Sequence, residues 1–100
     1  MLAFPSNDFG AQEPGTDAEI AAFAAEKGVR FPMFHKVSVK GEGTCGVYRY
    51  LKEQTGGAEI GWNFEKFLVG RDGRVIKRYA TAVKPNDMRA DIEAALAEEL

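Results

Sequence analysis

The sequence predicts an α/β protein in which helices cover a small sheet. Two observations support this: segments with apolar residues at helical spacing, and two β-rich runs joined by a glycine-containing turn. Their alternation along the chain is typical of layered α/β folds. With 100 residues, of which 45% are hydrophobic, the chain has enough apolar material for one small core. We therefore expect residues 1–100 to form a single domain.

The first predicted helix has clear signals at both ends. Thr16 and Glu19 form a capping box, in which each side chain can bond the other residue's amide, so the helix should begin at about Asp17. Gly28 follows as a residue suited to the left-handed conformation that ends helices. The side facing the core is predicted from apolar residues at i, i+3 and i+4: Ile20, Phe23 and Ala24.

Two further elements are predicted in the first half of the chain. Residues 1–4 form an apolar run that reads as a short strand, ended by Pro5. Residues 44–54 are predicted to form a shorter helix, closed by the glycines that follow it. Its apolar side is expected to contain Val47, Tyr50 and Leu51.

The second half carries the strongest local pattern. Residues 64–69 and 74–79 are rich in β-branched and aromatic residues, and the connection between them, residues 70–73, contains Asp-Gly, so we predict an antiparallel hairpin. After Pro85, a terminal helix is predicted from Met88, Ile92, Ala95 and Leu96. The order of strand, helix, short helix, hairpin and helix fits the later part of a thioredoxin-like fold, which would be incomplete.

Composition excludes several classes of function. The 13 basic and 15 acidic residues are dispersed and give a net charge of −2, which argues against a nucleic-acid or anionic-membrane partner. Apolar runs are far shorter than the roughly 20 residues needed to span a bilayer, and the start of the chain does not resemble a signal peptide. We expect a cytoplasmic protein with no stable membrane insertion. His and Cys are not spaced for metal binding, so no metal is expected.

Three segments resemble three blocks of the glutathione peroxidase family, in the family's order and at about its spacing. They are residues 4–15 (FPSNDFGAQEPG), residues 62–68 (WNFEKFL) and residues 73–79 (GRVIKRY). The resemblance continues through residues 34–41 and 48–52, and so covers essentially the whole chain.

The resemblance implies both an activity and its site. In that family a selenocysteine or cysteine reduces the peroxide, assisted by a Gln and a Trp-Asn pair, which correspond here to Gln12, Trp62 and Asn63. Their side chains are neutral N–H donors, suited to stabilising a thiolate or selenolate and the oxygen that departs. The implied function is reduction of hydrogen peroxide or organic and lipid hydroperoxides with thiol electrons, in response to oxidative stress. No bound cofactor is expected.

The resemblance also implies that the redox residue itself lies outside this chain. In the family it belongs to a segment that would precede Met1, so we expect this chain to be the C-terminal two-thirds of a family member, inactive by itself. Cys45, the only cysteine, stands where many relatives have His, and a structural thiol is the favoured interpretation. A peroxidase activity of Cys45 itself is an alternative that would need a lowered pKa and an exposed sulfur.

Further expectations concern reductant and assembly. Family members that use thioredoxin have a second cysteine near the first helix, which this chain lacks, so glutathione or another small thiol is the expected reductant. The short connection from Leu51 to Trp62 resembles that of monomeric members. His35 is expected to be structural or solvated. The alternative to a peroxidase is a non-catalytic thioredoxin-like fragment or interaction module.

Overall fold

The computed structural model describes residues 1–98, and the chain forms two compact units, Met1–Gly46 and Val47–Leu100. Its elements in order are α1 (Asp17–Glu26), α2 (Gly46–Glu53), β1 (Lys66–Val69), β2 (Val75–Tyr79), a 3-10 turn (Pro85–Met88) and α3 (Arg89–Ala97). Within the described residues no helix has the length and apolar character required to cross a bilayer. The single domain expected from the sequence stays a prediction.

Helix α1 begins and ends as its sequence predicts. The Thr16 hydroxyl accepts the Glu19 amide at 3.2 Å, and the Glu19 carboxylate accepts the Thr16 amide at 3.1 Å, which lowers the pKa of Glu19. At the other end Gly28 has a φ of +79°, and its amide and the next one bond back to carbonyls of the last turn. Local signals therefore fix both ends of this helix.

The predicted buried side of α1 is correct at two of its three positions. Ile20 and Ala24 are buried, whereas Phe23 is 59% exposed. At 100° per residue, Phe23 lies about 60° from Ile20 and about 100° from Ala24, at the edge of the apolar stripe. The Lys27 ammonium instead lies 5.5 Å from the centroid of its ring.

The strand predicted at residues 1–4 is wrong, because the structure forms only a single parallel bridge there, between Ala3 and Met33. The Ala3 carbonyl accepts the Phe34 amide at 2.9 Å. The next amide that would donate along this ladder belongs to position 5. Pro5 has no amide hydrogen, so the ladder stops after one pair.

Helix α2 begins two residues later than predicted and buries a different side. Leu51 is buried as expected, but Val47 and Tyr50 are 48% and 42% exposed. The neighbouring Lys52 is buried in their place, and its ammonium forms an ion pair with Glu59. A lysine packs in this way when its apolar stem covers the core while a carboxylate meets its charge.

The antiparallel hairpin is confirmed. Lys66 pairs with Tyr79, and a register shift after Leu68 produces a bulge before the turn. In the turn, the Gly70 amide donates to the Arg74 carbonyl at 2.9 Å. Strand β1 starts two residues later than predicted. Phe64 has a φ of +64°, which lies outside the extended region that regular strands occupy.

The terminal helix is also confirmed, and its first turn is 3-10. Met88 and Ala95 are buried, but Leu96 is 61% exposed, contrary to expectation. Seven residues return a helix to within about 20° of its starting direction, whereas eight overshoot by about 80°, so Ala95 and not Leu96 aligns with Met88. The Tyr79 hydroxyl donates to Asp91 at 2.6 Å and so joins α3 to β2.

Candidate active site

Trp62 and Asn63 lie in one turn directly ahead of β1, in the second unit. The Trp62 side chain is 45% exposed, and Asn63 is half-buried. The Thr81 hydroxyl donates to the Asn63 carbonyl at 2.8 Å and ties the turn to the segment after β2. The turn thus presents an indole N–H and an amide NH2, both neutral donors, at the surface of the unit.

The residue after this pair has a strained backbone. Phe64 has a φ of +64°, in the left-handed region that costs a residue with a side chain about 1–2 kcal/mol. Its side chain is 80% exposed, so little burial of its own offsets that cost. Only one other non-glycine residue in the described part of the chain has a positive φ, namely Ala11 at +49°. It directly precedes Gln12, so both strained residues adjoin predicted catalytic positions, where strain is typically retained for function.

A carboxylate closes the Trp62–Asn63 turn. Glu65 accepts the Gly61 amide at 2.6 Å through one oxygen and the Arg78 Nε at 2.8 Å through the other. The bond from Gly61 to Glu65 brackets the three residues between them. Both members of the ion pair are partly buried, with side chains 10% exposed for Glu65 and 16% for Arg78.

Arg78 extends this network to the segment before the turn. Its two terminal nitrogens donate to the carbonyls of Ala58 at 2.8 Å and Glu59 at 2.9 Å. The guanidinium also lies 5.2 Å from the centroid of the Phe67 ring. A single planar cation therefore binds the carboxylate and two backbone carbonyls, a geometry that arginine provides and lysine does not.

Gln12 lies in the first unit, in a loop with no helix or strand of its own. The Glu13 amide donates to the Asn7 side chain at 2.9 Å. The Lys36 ammonium donates to the carbonyls of Glu13, at 3.0 Å, and Gly15, at 2.6 Å. Gln12 itself is exposed, while the backbone that follows it is fixed by side chains from two other segments.

Asp8 is the second anchor of this loop. Its carboxylate accepts the Val39 amide at 2.7 Å and the Ser38 hydroxyl at 2.9 Å. Desolvation acts to raise the pKa of Asp8, but these hydrogen bonds outweigh it and hold the pKa below its ordinary value. The charged carboxylate thereby joins the segment before Gln12 to residues 38–39.

Sequence analysis singled out the donors in both units but missed the residues that hold their backbone. The missed residues are Asp8, Lys36, Glu65, Arg78 and Thr81. For Glu65 and Arg78 the signal was charge within the otherwise apolar or aromatic segments of the predicted hairpin, whereas the uncharged Thr81 gave no such signal. A charge at a half-buried position is rarely found without a partner, and this rule would have marked the pair.

The remaining candidates do not add to the site. Cys45 is a half-buried free thiol whose amide donates to the Ser38 carbonyl at 2.9 Å. His35 is exposed, as expected for a solvated side chain. Over residues 1–98 no group of three or more His, Cys, Asp or Glu side chains is arranged to hold a metal ion.

Comparison with known proteins identifies what the chain resembles. A family model described as glutathione peroxidase matches residues 1–52. Glutathione peroxidase 2 of Caenorhabditis elegans is 51% identical over 100% of this chain. A glutathione peroxidase-like peroxiredoxin of Schizosaccharomyces pombe is 49% identical over 96% of it.

The structural comparison agrees. A crystal structure of Trgpx in its apo form has a TM-score of 0.76 and 35% identity, and the match covers 97% of this chain and 57% of that one. This likeness confirms the predicted α/β, thioredoxin-like fold class, present here in part. The chain spans 64% of the C. elegans relative and 63% of the S. pombe relative, less than two thirds of either.

Proposed function

The chain belongs to the glutathione peroxidase family, and on that basis we propose that it takes part in reducing hydrogen peroxide or organic hydroperoxides with electrons from a thiol. The observation that carries the proposal is the Trp62–Asn63 turn, in which two neutral donors precede the strained Phe64 and the hydrogen bonds of Glu65 and Arg78 hold the backbone. Strain retained beside polar donors is typical of a functional site. A role in the response to oxidative stress follows from the proposed reaction.

The proposed reaction assigns one role to all three donors. A selenolate or thiolate attacks one peroxide oxygen, which becomes the hydroxyl of a selenenic or sulfenic acid as the O–O bond breaks, and the second oxygen leaves as water or an alcohol after taking a proton from solvent. Two thiols then reduce the oxidised selenium or sulfur, becoming a disulfide and releasing water. Gln12, Trp62 and Asn63 stabilise the anionic nucleophile and the charge that develops on the departing oxygen. As neutral donors they do so without protonating either.

The redox residue of this proposal is a selenocysteine or cysteine that these 100 residues do not supply, on a segment N-terminal to them. The reductant is glutathione or another small thiol, since the chain contains Cys45 alone. The half-buried state of Cys45 gives no support to a peroxidase activity of its own. A monomeric state and a cytoplasmic location stay predictions from the sequence.

The test joins this chain to the N-terminal part of the C. elegans relative and measures the rate of reaction with peroxide. Each of the variants Gln12→Ala, Trp62→Phe and Asn63→Ala removes one N–H donor. Loss of one preorganised donor costs about 2–4 kcal/mol of transition-state stabilisation, or a rate decrease of about 30- to 1,000-fold.

The chain offers matched controls for two of these variants. Gln54→Ala and Asn86→Ala make the same substitutions at exposed positions outside the Gln12 loop and the Trp62–Asn63 turn, and they should leave the rate within a factor of two. If the site variants reacted as fast as these controls, the three residues would have no part in the chemistry. A joined protein that folds but does not react with peroxide would instead favour the non-catalytic interaction module.

A further inference from the structure

We propose that Glu65, held by Arg78, is a positioning residue that fixes the Trp62–Asn63 turn. The inference deepens the proposed function and rests on it for its biological meaning, but its structural content concerns the second unit alone. Glu65 touches neither a substrate nor a reacting atom. It acts through the backbone on either side of the two donors.

The position of Glu65 in the chain makes this role specific. One carboxylate oxygen accepts the Gly61 amide at 2.6 Å, so the side chain of the fifth residue returns to the backbone of the first. The segment from residue 61 to residue 65 is thereby closed into a loop with Trp62 and Asn63 inside it. The Thr81 hydroxyl, which donates to the Asn63 carbonyl, is a second contact to the backbone of this loop.

The second carboxylate oxygen explains why the loop stays closed. It accepts Arg78 Nε at 2.8 Å, and the rest of the guanidinium is fixed by two backbone carbonyls, those of Ala58 and Glu59. Arg78 lies in β2, the strand paired with β1, so the regular hairpin is the frame from which Glu65 is held. The Glu65 carboxylate therefore fixes the Trp62–Asn63 turn relative to the hairpin.

The strained residue supplies independent support. Phe64, with its φ of +64°, stands between Asn63 and Glu65. An unfavourable backbone conformation persists only where its surroundings determine it. The bonds on both sides of Phe64, from the Gly61 amide to Glu65 and from the Thr81 hydroxyl to the Asn63 carbonyl, contribute to those surroundings.

Because Trp62 is the only tryptophan in the sequence, its fluorescence reports on this turn without any turnover. We would measure acrylamide quenching and fluorescence anisotropy of the full chain and of Glu65→Ala, with Asp91→Asn as the control that removes another carboxylate from the same unit. The quenching constant of Glu65→Ala is expected to rise about twofold, because an indole that is 45% exposed becomes freely accessible when the turn opens. Its anisotropy should fall. Asp91→Asn should resemble wild type in both.

Glu65→Gln separates the two bonds of the carboxylate. Its amide oxygen can still accept the Gly61 amide but pairs poorly with Arg78, so quenching should lie between wild type and Glu65→Ala. If Glu65 were merely a stabilising ion-pair partner, both variants would lower the unfolding midpoint and leave Trp62 quenching in the folded chain at the wild-type value. That result would overturn the proposal.

A measurement on wild type covers the case in which the variants do not fold. The Gly61 amide belongs to an exposed residue, and its bond to Glu65 should slow its hydrogen exchange at least about tenfold relative to an unstructured amide. Exchange at the unstructured rate would refute the closed loop. Since neither experiment uses peroxide, their failure is distinct from failure of the proposed peroxidase function.

Discussion

Replacing Phe64 with Gly should stabilise the chain, which is unusual for the loss of an aromatic side chain. The native φ of +64° costs Phe about 1–2 kcal/mol, and glycine adopts it without that cost. The lost burial is small because the ring is 80% exposed. Against this gain stands the greater freedom of glycine in the unfolded chain, about 0.5–1 kcal/mol. The net expectation is a stabilisation of about 0.5–1 kcal/mol.

The same substitution elsewhere provides the control. Phe23→Gly also removes an exposed ring, but from the interior of helix α1, where glycine is unfavourable, so it should destabilise the chain by about 1 kcal/mol. Urea denaturation followed by circular dichroism measures both changes in the free energy of unfolding. If Phe64→Gly were as destabilising as Phe23→Gly, no strain would be stored at position 64, and strain would not mark the Trp62–Asn63 turn as a functional site.

Three further perturbations have definite expected results. Arg78→Met should lower the free energy of unfolding by about 2 kcal/mol, because it leaves the partly buried Glu65 carboxylate without its charged partner. Arg89→Met, at an exposed ion pair, should change it by less than about 0.5 kcal/mol, and chemical denaturation compares the two. Burial, together with the hydrogen bond to a carboxylate, raises the pKa of Tyr79 to about 12, so its contribution to stability is complete below pH 10 and is lost as pH rises from 10 towards 12. Absorbance titration should show one late phenolate that disappears in Tyr79→Phe. Thr16→Ala should cost about 1 kcal/mol by removing the cap of α1, and Thr16→Ser should restore most of it when unfolding is measured in urea.

The sequence predicted those features that neighbouring residues decide. The capping box of α1 and its terminating Gly28 depend on residues within one helical turn, and both are as predicted. The errors concern which side chains of a helix face the core. Phe23 and Leu96 were placed on buried sides by spacing, but each lies at the edge of its apolar stripe and is exposed. The strand predicted at residues 1–4 does not form, because Pro5 has no amide hydrogen to donate to a second ladder pair.

The candidate site divides in a similar way. Its donors were predicted through the family resemblance, and their chemical role stays a prediction. The residues that hold them were missed because their partners are far apart in sequence. Glu65 and Arg78 are 13 residues apart and meet only through the register of the hairpin. Lys36 reaches the carbonyl of Glu13 across 23 residues. Local hydrophobic periodicity predicts neither of these long-range contacts.

The two loops that carry the predicted donors are held by the same physical device. Each is irregular, so helix or strand hydrogen bonds do not fix its backbone, and its carbonyls can accept from side-chain donors instead. In the first unit the Lys36 ammonium binds two carbonyls that follow Gln12, and in the second the Arg78 guanidinium binds two that precede Trp62. A cation with several N–H groups can satisfy more than one carbonyl at once. The loop backbone is thereby fixed by residues other than the donors themselves.

This arrangement predicts that different residues of the first unit serve stability and chemistry: Lys36 stabilises the loop, whereas Gln12 does not. Gln12 is exposed, so Gln12→Ala should change the free energy of unfolding by no more than about 0.5 kcal/mol. Lys36→Met, by contrast, leaves the two carbonyls without their donor and should cost about 1–3 kcal/mol. Chemical denaturation of both variants, followed through the circular dichroism of the helices, measures the difference. If Gln12→Ala destabilised the chain as much as Lys36→Met, Gln12 itself would hold the loop. The proposed separation between the donor and the residues that fix its backbone would then be wrong for this unit.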